Sequence, residues 1–472
     1  MNRRIFIKFI SPFFLLILLI TKIVVLSGCA NIIPPTGGDR DSLPPLLLKV
    51  SPPDSTKGFK SKTITFTFDE YIDQPQDIFK NLIVSPNYST PPVIESRLRT
   101  LTIKIKDTLE PNTTYYYNLG NAIKDINEGN VLHNFSYIFT TGNTFDTLQL
   151  SGKVILAETG GIDSTLIVML HKNGSDSAVL KDVARYIARL DGKGNFRFLY
   201  LPPGTYYMYV MDEGKRYSER SFFAFSDSAI QVKPDASPVT LYAFKEEKEL
   251  PPSSIINFTG GNRPGTRPDE RRLKFSTTLS GNMQDLLGSF NLNFEQPLRN
   301  FDSTKLQLST DSAFISTPAR WQLDSLRKKI TLRTTWKENT LYNLILDKDF
   351  AEDSSSRKLL KTDTISFTTK KLTDYGSLKI SFINIDLTKN PVLQFSQGDR
   401  VIRTFPLNST ELNLPLFNPG EYDLSILYDT NKNGHWDTGK FFEGKKQPEL
   451  VKPLNKKITI RSNWDNEFEI RL

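Results

Sequence analysis

The sequence is poor in the residues on which most catalytic and metal sites depend. Its 472 residues include one cysteine, Cys29, and three histidines, His133, His171 and His435. A single thiol excludes an intramolecular disulfide and any cysteine-based metal cluster. The histidines are far apart in sequence, and no His-x-x-x-His or His-Glu-x-x-His pair occurs. A Gly-x-Ser-x-Gly elbow and a P-loop are also missing. The sequence therefore gives little support to an enzyme.

The first 28 residues have the three parts of a secretory signal. Arg3, Arg4 and Lys8 form a basic start, and a largely apolar run follows from Phe9 to Leu26. Small residues then precede Cys29 in Leu-Ser-Gly-Cys, which resembles the lipobox of bacterial lipoproteins. Cleavage before Cys29 is expected to leave a thiol that receives lipid. The alternative is a transmembrane anchor, because the run is long enough to span a bilayer.

The charge balance argues against a nucleic-acid partner. The whole sequence has 60 basic and 52 acidic residues, a net charge of +8. Removal of the signal takes away Arg3, Arg4, Lys8 and Lys22, which leaves 56 basic residues and a net charge of +4. That charge is close to neutral for a body of this size and predicts no nucleic-acid binding.

Short alternating strands appear after Pro44-Pro45. The run Thr63–Phe68 alternates strictly between polar and apolar residues, which predicts a half-buried strand. The segments ITFTFDEYID, LTIKIKDTLEPNTTYYYNL and YIFTTG resemble the bacterial Ig-like domain of surface lipoproteins and surface-layer proteins. The resemblance implies an antiparallel sandwich. It also implies that Asp69 and Glu70 belong to a strand-end pattern and are structural, not an acid/base pair.

The next segment has a different pattern. FRFLYLPPGTYYMYVMD, residues 196–212, resembles the carboxypeptidase-regulatory or prealbumin-like β-sandwich. The resemblance implies a tight turn at Pro203-Gly204 and a buried strand from Tyr206. Such modules are usually spacers or binding supports.

Both patterns recur. FNLNFEQPLRNFDSTKLQLS echoes the first segment with Phe294 in the place of Phe68, and LNLPLFNPGEYDLSILYD echoes the second with Gly420 in the place of Gly204. We therefore predict an all-β chain of tandem antiparallel sandwiches, made of two copies of an Ig-like plus prealbumin-like pair. The predicted segments are a signal peptide (1–28), acylated Cys and tether (29–45), Ig-like domain (46–142), prealbumin-like sandwich (143–245), linker (246–272), second Ig-like domain (273–371) and second prealbumin-like sandwich (372–472).

The predicted linker is rich in proline, glycine and charge. It also contains a group of basic residues, Arg263, Arg267, Arg271 and Arg272. These arginines are interpreted either as part of a solvated connector or as a docking strip for an acidic partner or a lipid headgroup.

One loop has the spacing of a calcium site. Oxygen-bearing side chains occupy positions 1, 3, 5 and 9 of an EF-hand-type loop, glycine occupies position 6, and a main-chain carbonyl would serve position 7. The candidate ligands for Ca²⁺ are Asp429, Asn431, Asn433, His435 through its carbonyl, and Asp437.

The same loop departs from that pattern at position 12. Lys440 replaces the bidentate glutamate, so Glu443 or water would have to complete the shell. The flanking segments are also predicted to be strands instead of helices. A plain β-hairpin tip is therefore the alternative, since Asn433-Gly434 is by itself a strong turn signal.

As a whole the sequence resembles the Ig-like-domain lipoproteins of Bacteroidota. The resemblance implies lipid anchoring at the outer membrane, on either its periplasmic or its cell-surface side. The first expectation is a non-enzymatic accessory subunit of an outer-membrane β-barrel complex for assembly, secretion or uptake. The alternative is a surface module that binds carbohydrate or peptide.

Overall fold

The computed structural model describes residues 40–72, 75–214, 221–246, 272–310, 315–398, 400–442 and 444–472. The predicted signal peptide, Cys29, the tether as far as residue 39 and the linker residues 247–271 lie outside this part of the chain. Among the described residues, no helix combines the length and hydropathy needed to cross a bilayer. Strands dominate, and the predicted all-β fold of tandem antiparallel sandwiches is confirmed.

The chain divides into two compact units. One comprises residues up to 145 except Ser85–Asn87, and the other comprises residues 146–472 together with Ser85–Asn87. The residue limits of the seven predicted segments stay a prediction.

The first unit is a sandwich. Its sheets have the strand orders β1-β2-β5-β4, β3-β6-β9 and β7-β8. The elements are β1 Leu47–Ser51, β2 Thr63–Phe68, α1 Pro75–Asn81, β3 Ile83–Ser85, β4 Val93–Arg97, β5 Thr100–Lys104, β6 Thr114–Gly120, β7 Ile123–Lys124, β8 Val131–Leu132 and β9 Phe135–Thr140.

Alternation along β2 explains how this sandwich closes. Ile64, Phe66 and Phe68 point inward and are almost fully buried, while the threonines between them face outward. The inward residues pack against aromatic side chains of the other sheet; the rings of Phe66 and Tyr137 are 5.4 Å apart and nearly perpendicular. The period-2 pattern read from the sequence is thus the pattern that fills the core.

The second unit begins with a sandwich of sheets β13-β10-β17 and β12-β11-β14-β15, in which β10 and β17 run parallel and β16 pairs with β14. Its elements are β10 Leu148–Leu156, β11 Leu166–His171, α2 Ala178–Lys181, β12 Tyr186–Arg189, β13 Asn195–Leu201, β14 Gly204–Asp212, β15 Phe223–Phe225, β16 Ile230–Val232 and β17 Val239–Ala243.

A middle sandwich follows, with sheets β18-β20-β25-β24, β19-β28-β26-β22-β23 and β21-β27. Its strands are β18 Phe275–Thr277, β19 Met283–Gln284, β20 Phe290–Phe294, β21 Leu298–Phe301, β22 Leu306–Thr310, β23 Ile315–Ser316, β24 Arg320–Leu323, β25 Lys329–Arg333, β26 Leu341–Leu346, β27 Ala351–Asp353 and β28 Asp363–Thr369.

The terminal sandwich repeats the topology of the one at the start of this unit. Its sheets are β32-β29-β35, with β29 and β35 parallel, and β31-β30-β33-β34. Its strands are β29 Gly376–Ile383, β30 Pro391–Gln397, β31 Arg400–Pro406, β32 Glu411–Phe417, β33 Gly420–Tyr428, β34 Leu450–Ile460 and β35 Asp465–Arg471. The 3-10 helices of the second unit are Ser303–Lys305, Leu372–Asp374 and Leu387–Lys389.

Candidate functional site

The predicted calcium loop connects β33 to β34. These two strands are neighbours in one sheet, so the loop is an excursion at a sheet end. It spans residues 429–449, which is far longer than a two-residue hairpin turn. We call residues 429–437 the Asp429 loop and residues 438–447 the docking segment.

Asp429 holds the first half of the Asp429 loop together. Its side chain is almost completely buried, at 2% exposure. One carboxylate oxygen accepts the N–H groups of Lys432 at 2.6 Å and Asn433 at 3.3 Å, and the other accepts the N–H of Gly434 at 2.6 Å. Gly434 has a φ of +78°, which side-chain-bearing residues adopt at a cost. This glycine therefore brings its N–H to the carboxylate without strain.

The two asparagines and Asp437 form the second half. The Nδ2 atoms of Asn431 and Asn433 both donate to Oδ2 of Asp437, the latter at 2.9 Å. The Oδ1 atoms accept main-chain N–H groups, from Asn433 at 3.0 Å and from His435 at 2.7 Å. The loop thus brings Asn431, Asn433 and Asp437 together. Asp429 accepts the N–H groups of the turn that follows it.

Glu449 also contacts the Asp429 loop, although the calcium-loop spacing in the sequence does not predict it. Its side chain is 3% exposed. It accepts the N–H of Thr430 at 2.7 Å and the hydroxyl of Thr430 at 2.6 Å on Oε1, and the N–H of Asp437 at 3.2 Å on Oε2. Glu449 lies twenty residues beyond Asp429 and directly before β34. No calcium-loop spacing rule covers that separation.

Lys440, at position 12 of the predicted calcium loop, makes contacts through its main chain. Lys440 makes a pair of main-chain hydrogen bonds with Lys446, at 2.8 and 2.7 Å, so its backbone closes the docking segment on itself. Glu443 lies outside the described residues. Glu449, not the twelfth position, is the described glutamate that contacts the Asp429 loop.

The carboxylates of this loop have no cationic partner in the described part of the chain. No ion pair there involves Asp429, Asp437 or Glu449. Their charge is met by N–H and hydroxyl donors. Across the described ranges, no group of three or more His, Cys, Asp or Glu side chains is placed to hold a metal ion. Any cation at the predicted loop would therefore depend on amide and main-chain oxygens as well as carboxylates.

The docking segment fixes the loop to the sandwich at the start of the second unit. Phe441 is 1% exposed and sits among aromatic side chains of that sandwich. Its ring centroid is 5.7 Å from that of Tyr209 and 5.1 Å from those of Phe223 and Phe225. This contact extends the buried face of β14 and β15 with a residue more than two hundred positions later in the sequence.

Polar contacts surround that aromatic cluster. The hydroxyl of Thr438 donates to the carbonyl of Lys245 at 2.6 Å, and the N–H of Phe441 donates to Oε1 of Glu246 at 2.7 Å. The Nε2 amide of Gln447 donates to the carbonyl of Phe225 at 3.1 Å. Buried apolar contact and satisfied main-chain groups together give a specific interface.

The other polar residues singled out in the sequence have structural surroundings. Asp69 accepts the N–H of Leu46 at 2.7 Å, which agrees with a strand-end role. Burial first, and then the nearby carboxylates, raise the pKa of Glu70. His133 is exposed beside Asn121. His171 is buried against Tyr209, and this burial lowers its pKa although the negative charge of Asp182 opposes the shift.

Comparison with known families identifies one class of domain. Residues 41–141 match the family model described as a bacterial Ig-like domain. This match covers the sandwich of the first unit and supports a non-catalytic module there. No curated protein matches the chain.

Solved structures give only distant similarities. The Bacillus anthracis TIE protein is 11% identical over 92% of this chain and 75% of its own, with a TM-score of 0.18. The major pilin subunit of Bacillus cereus, BcpA, is 9% identical over 68% and 99%, with a TM-score of 0.16. The N-terminal part of the bacterial S-layer protein SbsC is 16% identical over 40% and 44%, with a TM-score of 0.16, so the chain spans less than half of it. At these scores the similarities carry no functional argument.

Proposed function

We propose that the protein is a lipid-anchored, non-catalytic interaction protein that serves as an accessory subunit of an outer-membrane β-barrel complex. The observation that carries the proposal is that buried side-chain contacts join the sandwiches of the second unit to one another. Phe441 is buried in the aromatic cluster of a sandwich far away in sequence. Asp285 of the middle sandwich accepts hydrogen bonds from Tyr375 and Asn418 beside the terminal sandwich. Buried contacts of this kind suit a scaffold that presents fixed surfaces to a partner.

Membrane attachment is proposed from Cys29, which lies outside the described residues. Acyl chains contribute about 0.8 kcal/mol for each buried CH₂ group, so two or more chains give stable anchoring. We expect Cys29→Ala to stop lipid attachment and to leave the unprocessed precursor. Partition into a detergent phase and the mass of the mature N-terminus measure this. Ser27→Ala keeps a small residue in the motif and should be processed normally. Normal lipidation of Cys29→Ala would contradict the proposal.

The partner is tested by capture from membranes dissolved in mild detergent. A tag at the C-terminus and identification by mass spectrometry should recover a β-barrel protein in stoichiometric amount. A chain whose residues 1–29 are replaced by a signal that is cleaved without acylation is the control that separates contacts of the body from shared lipid. Recovery of the lipoprotein alone would contradict the accessory-subunit proposal and favour a free-standing module that binds carbohydrate or peptide.

We also propose that the Asp429 loop binds Ca²⁺. The favouring observation is that two carboxylates with exposures of 2% and 3%, Asp429 and Glu449, lie in one loop with Asp437 and have no cationic partner among the described side chains. Buried charges are normally paired or bound to metal. A half-turn of the side-chain amides of Asn431 and Asn433 would direct Oδ1, and not Nδ2, toward a cation next to Asp437.

Calorimetric titration of the whole protein with Ca²⁺ tests this second proposal. We expect saturable binding with a Kd on the order of 10⁻⁴ to 10⁻³ M, the range of extracellular calcium modules. Asp437→Asn keeps the size of the side chain and should abolish the heat. Asp423→Asn, at an exposed ion pair on β33, is the matched control and should leave it unchanged. The absence of heat at millimolar Ca²⁺ would refute calcium binding.

A further inference from the structure

The end of the first unit at which the chain enters has an unusual surface. We call it the N-terminal pole and define it by residues 43–46, 69–72, 98–99 and 125–128. Main-chain hydrogen bonds bring these segments together: Asp69 N–H to Leu46 O at 3.1 Å, Ile72 N–H to Leu98 O at 3.0 Å, and Ile126 N–H to Tyr71 O at 3.0 Å. The pole is therefore one continuous surface built from four loops.

Large apolar side chains of the pole face solvent. The exposed fractions are 68% for Leu43, 62% for Leu46, 46% for Tyr71, 66% for Leu98 and 51% for Ile126. Isolated exposed leucines are common on protein surfaces, but a group on one continuous surface indicates an interaction site.

Polar and charged side chains accompany this apolar group. The guanidinium of Arg99 lies over the ring of Tyr71, 5.3 Å from its centroid. Tyrosine and arginine are side chains that keep an apolar body in contact with hydrocarbon while the polar end stays in water. The charged residues of the pole are Arg99, Asp69, Glu70, Asp125 and Glu128, and Arg40, Asp41 and Arg97 are next to its segments in the sequence.

The path of the chain favours a membrane as the surface that covers the pole. β9 begins at Phe135, whose ring is 5.9 Å from that of Phe68 near the pole, and ends at Thr140, whose carbonyl accepts the N–H of Phe59 at 3.0 Å. The chain therefore enters this sandwich at the pole and leaves it at the other end. Only thirteen residues, 30–42, separate Cys29 from Leu43. A chain extends at most ~3.3–3.6 Å per residue, so Cys29 and Leu43 can be no more than about 50 Å apart.

We infer that the N-terminal pole rests directly on a lipid bilayer surface, with its leucines and Ile126 at the acyl boundary and Tyr71 and Arg99 at headgroup level. This inference rests on the proposed lipid attachment at Cys29, which holds the pole within reach of the membrane. Interfacial aromatic and apolar side chains give such contacts their affinity. The excess of acidic side chains at the pole fits a zwitterionic surface better than a strongly anionic one.

Site-directed labelling of the full, acylated chain tests the inference. Cys29 is the only cysteine, so after acylation an introduced cysteine is the only free thiol. Leu46→Cys and Ile126→Cys are labelled with an environment-sensitive fluorophore in vesicles of phosphatidylethanolamine and phosphatidylcholine that carry a spin-labelled lipid. Val93→Cys is the matched control, because Val93 is 38% exposed and begins β4 at the end of the sheet away from the pole.

The expected result is at least about twofold stronger quenching by the spin-labelled lipid at positions 46 and 126 than at 93, with bluer emission. Equal quenching at all three positions, in protein whose acylation is confirmed by mass, would overturn the inference while leaving lipid anchoring intact. A mass that shows no lipid on Cys29 would instead refute the proposed function, and the inference with it. Leu46→Ser with Leu98→Ser should reduce quenching at position 126 to the level of position 93.

Discussion

Replacement of Phe441 by alanine is expected to lower the free energy of unfolding of the second unit by about 3–5 kcal/mol, the usual cost of truncating a buried phenylalanine. The side chain is 1% exposed and its ring lies within 5.1 Å of those of Phe223 and Phe225. Removing it leaves a cavity lined by aromatic side chains that β14 and β15 hold in place. The cluster cannot close over that cavity without moving a strand.

Denaturant titration of the two variants Phe441→Ala and Phe442→Ala measures this effect. Phe442 is the adjacent residue, has the same chemistry and is 42% exposed, so its truncation should shift the midpoint far less. Equal shifts for the two variants would show that the docking segment is not fixed by Phe441. Loss of the aromatic contact should also make the loop between β33 and β34 more accessible to protease than in the control.

The strands of both units were predictable because their signal is local. The alternation in Thr63–Phe68 requires only that one face of a sheet be buried, and the structure buries that face. The repeat was equally visible, since Gly204 and Gly420 each begin the long central strand of a sheet, β14 and β33. Periodicity identifies such elements from a few neighbouring residues.

The contacts between sandwiches could not be predicted in this way. Phe441 and Phe442 stand side by side in the sequence, and nothing local shows which of them is buried. Glu449 likewise reaches Thr430 and Asp437 only because β33 and β34 pair with each other. Contacts between residues far apart in sequence depend on the assembled fold, and a single sequence does not encode them as a periodic pattern. The contacts of Asp285 with Tyr375 and Asn418 are a third example of this kind.

Asp285 anchors the middle sandwich through its carboxylate. Oδ1 accepts the N–H of Leu287 at 2.8 Å and the hydroxyl of Tyr375 at 2.9 Å, and Oδ2 accepts the Nδ2 amide of Asn418 at 2.5 Å. Lys370 lies 3.5 Å from Oδ2. Burial alone would raise the pKa of Asp285, but the hydrogen bonds and Lys370 together lower it.

Asp285→Asn is therefore expected to reduce the free energy of unfolding of the second unit by about 1.5–3 kcal/mol, the range for hydrogen bonds to a charged group. An amide at this position keeps one acceptor oxygen, but its NH₂ group then faces the hydrogen-bond donors that the second carboxylate oxygen accepted. Because the pKa is lower in the folded than in the unfolded state, the stabilisation is fully present above the unfolded value, about 3.9, and is lost as the pH falls through the folded value. The difference between the two proteins should consequently be constant near pH 6 and shrink below about pH 3.9.

Denaturant titrations at pH 6 and at several values below pH 4 measure this dependence. Asp423→Asn serves as the control, since Asp423 and Lys457 are 4.0 Å apart and both more than half exposed, and exposed pairs contribute about 0–1 kcal/mol. A difference between Asp285→Asn and the unaltered protein that persisted unchanged to pH 3 would mean that shape, and not charge, is what Asp285 supplies. A difference that shrinks would identify the ionised carboxylate as the group that holds Tyr375 and Asn418 against the middle sandwich. The ionised carboxylate would then be a determinant of the fixed arrangement on which the scaffold proposal depends.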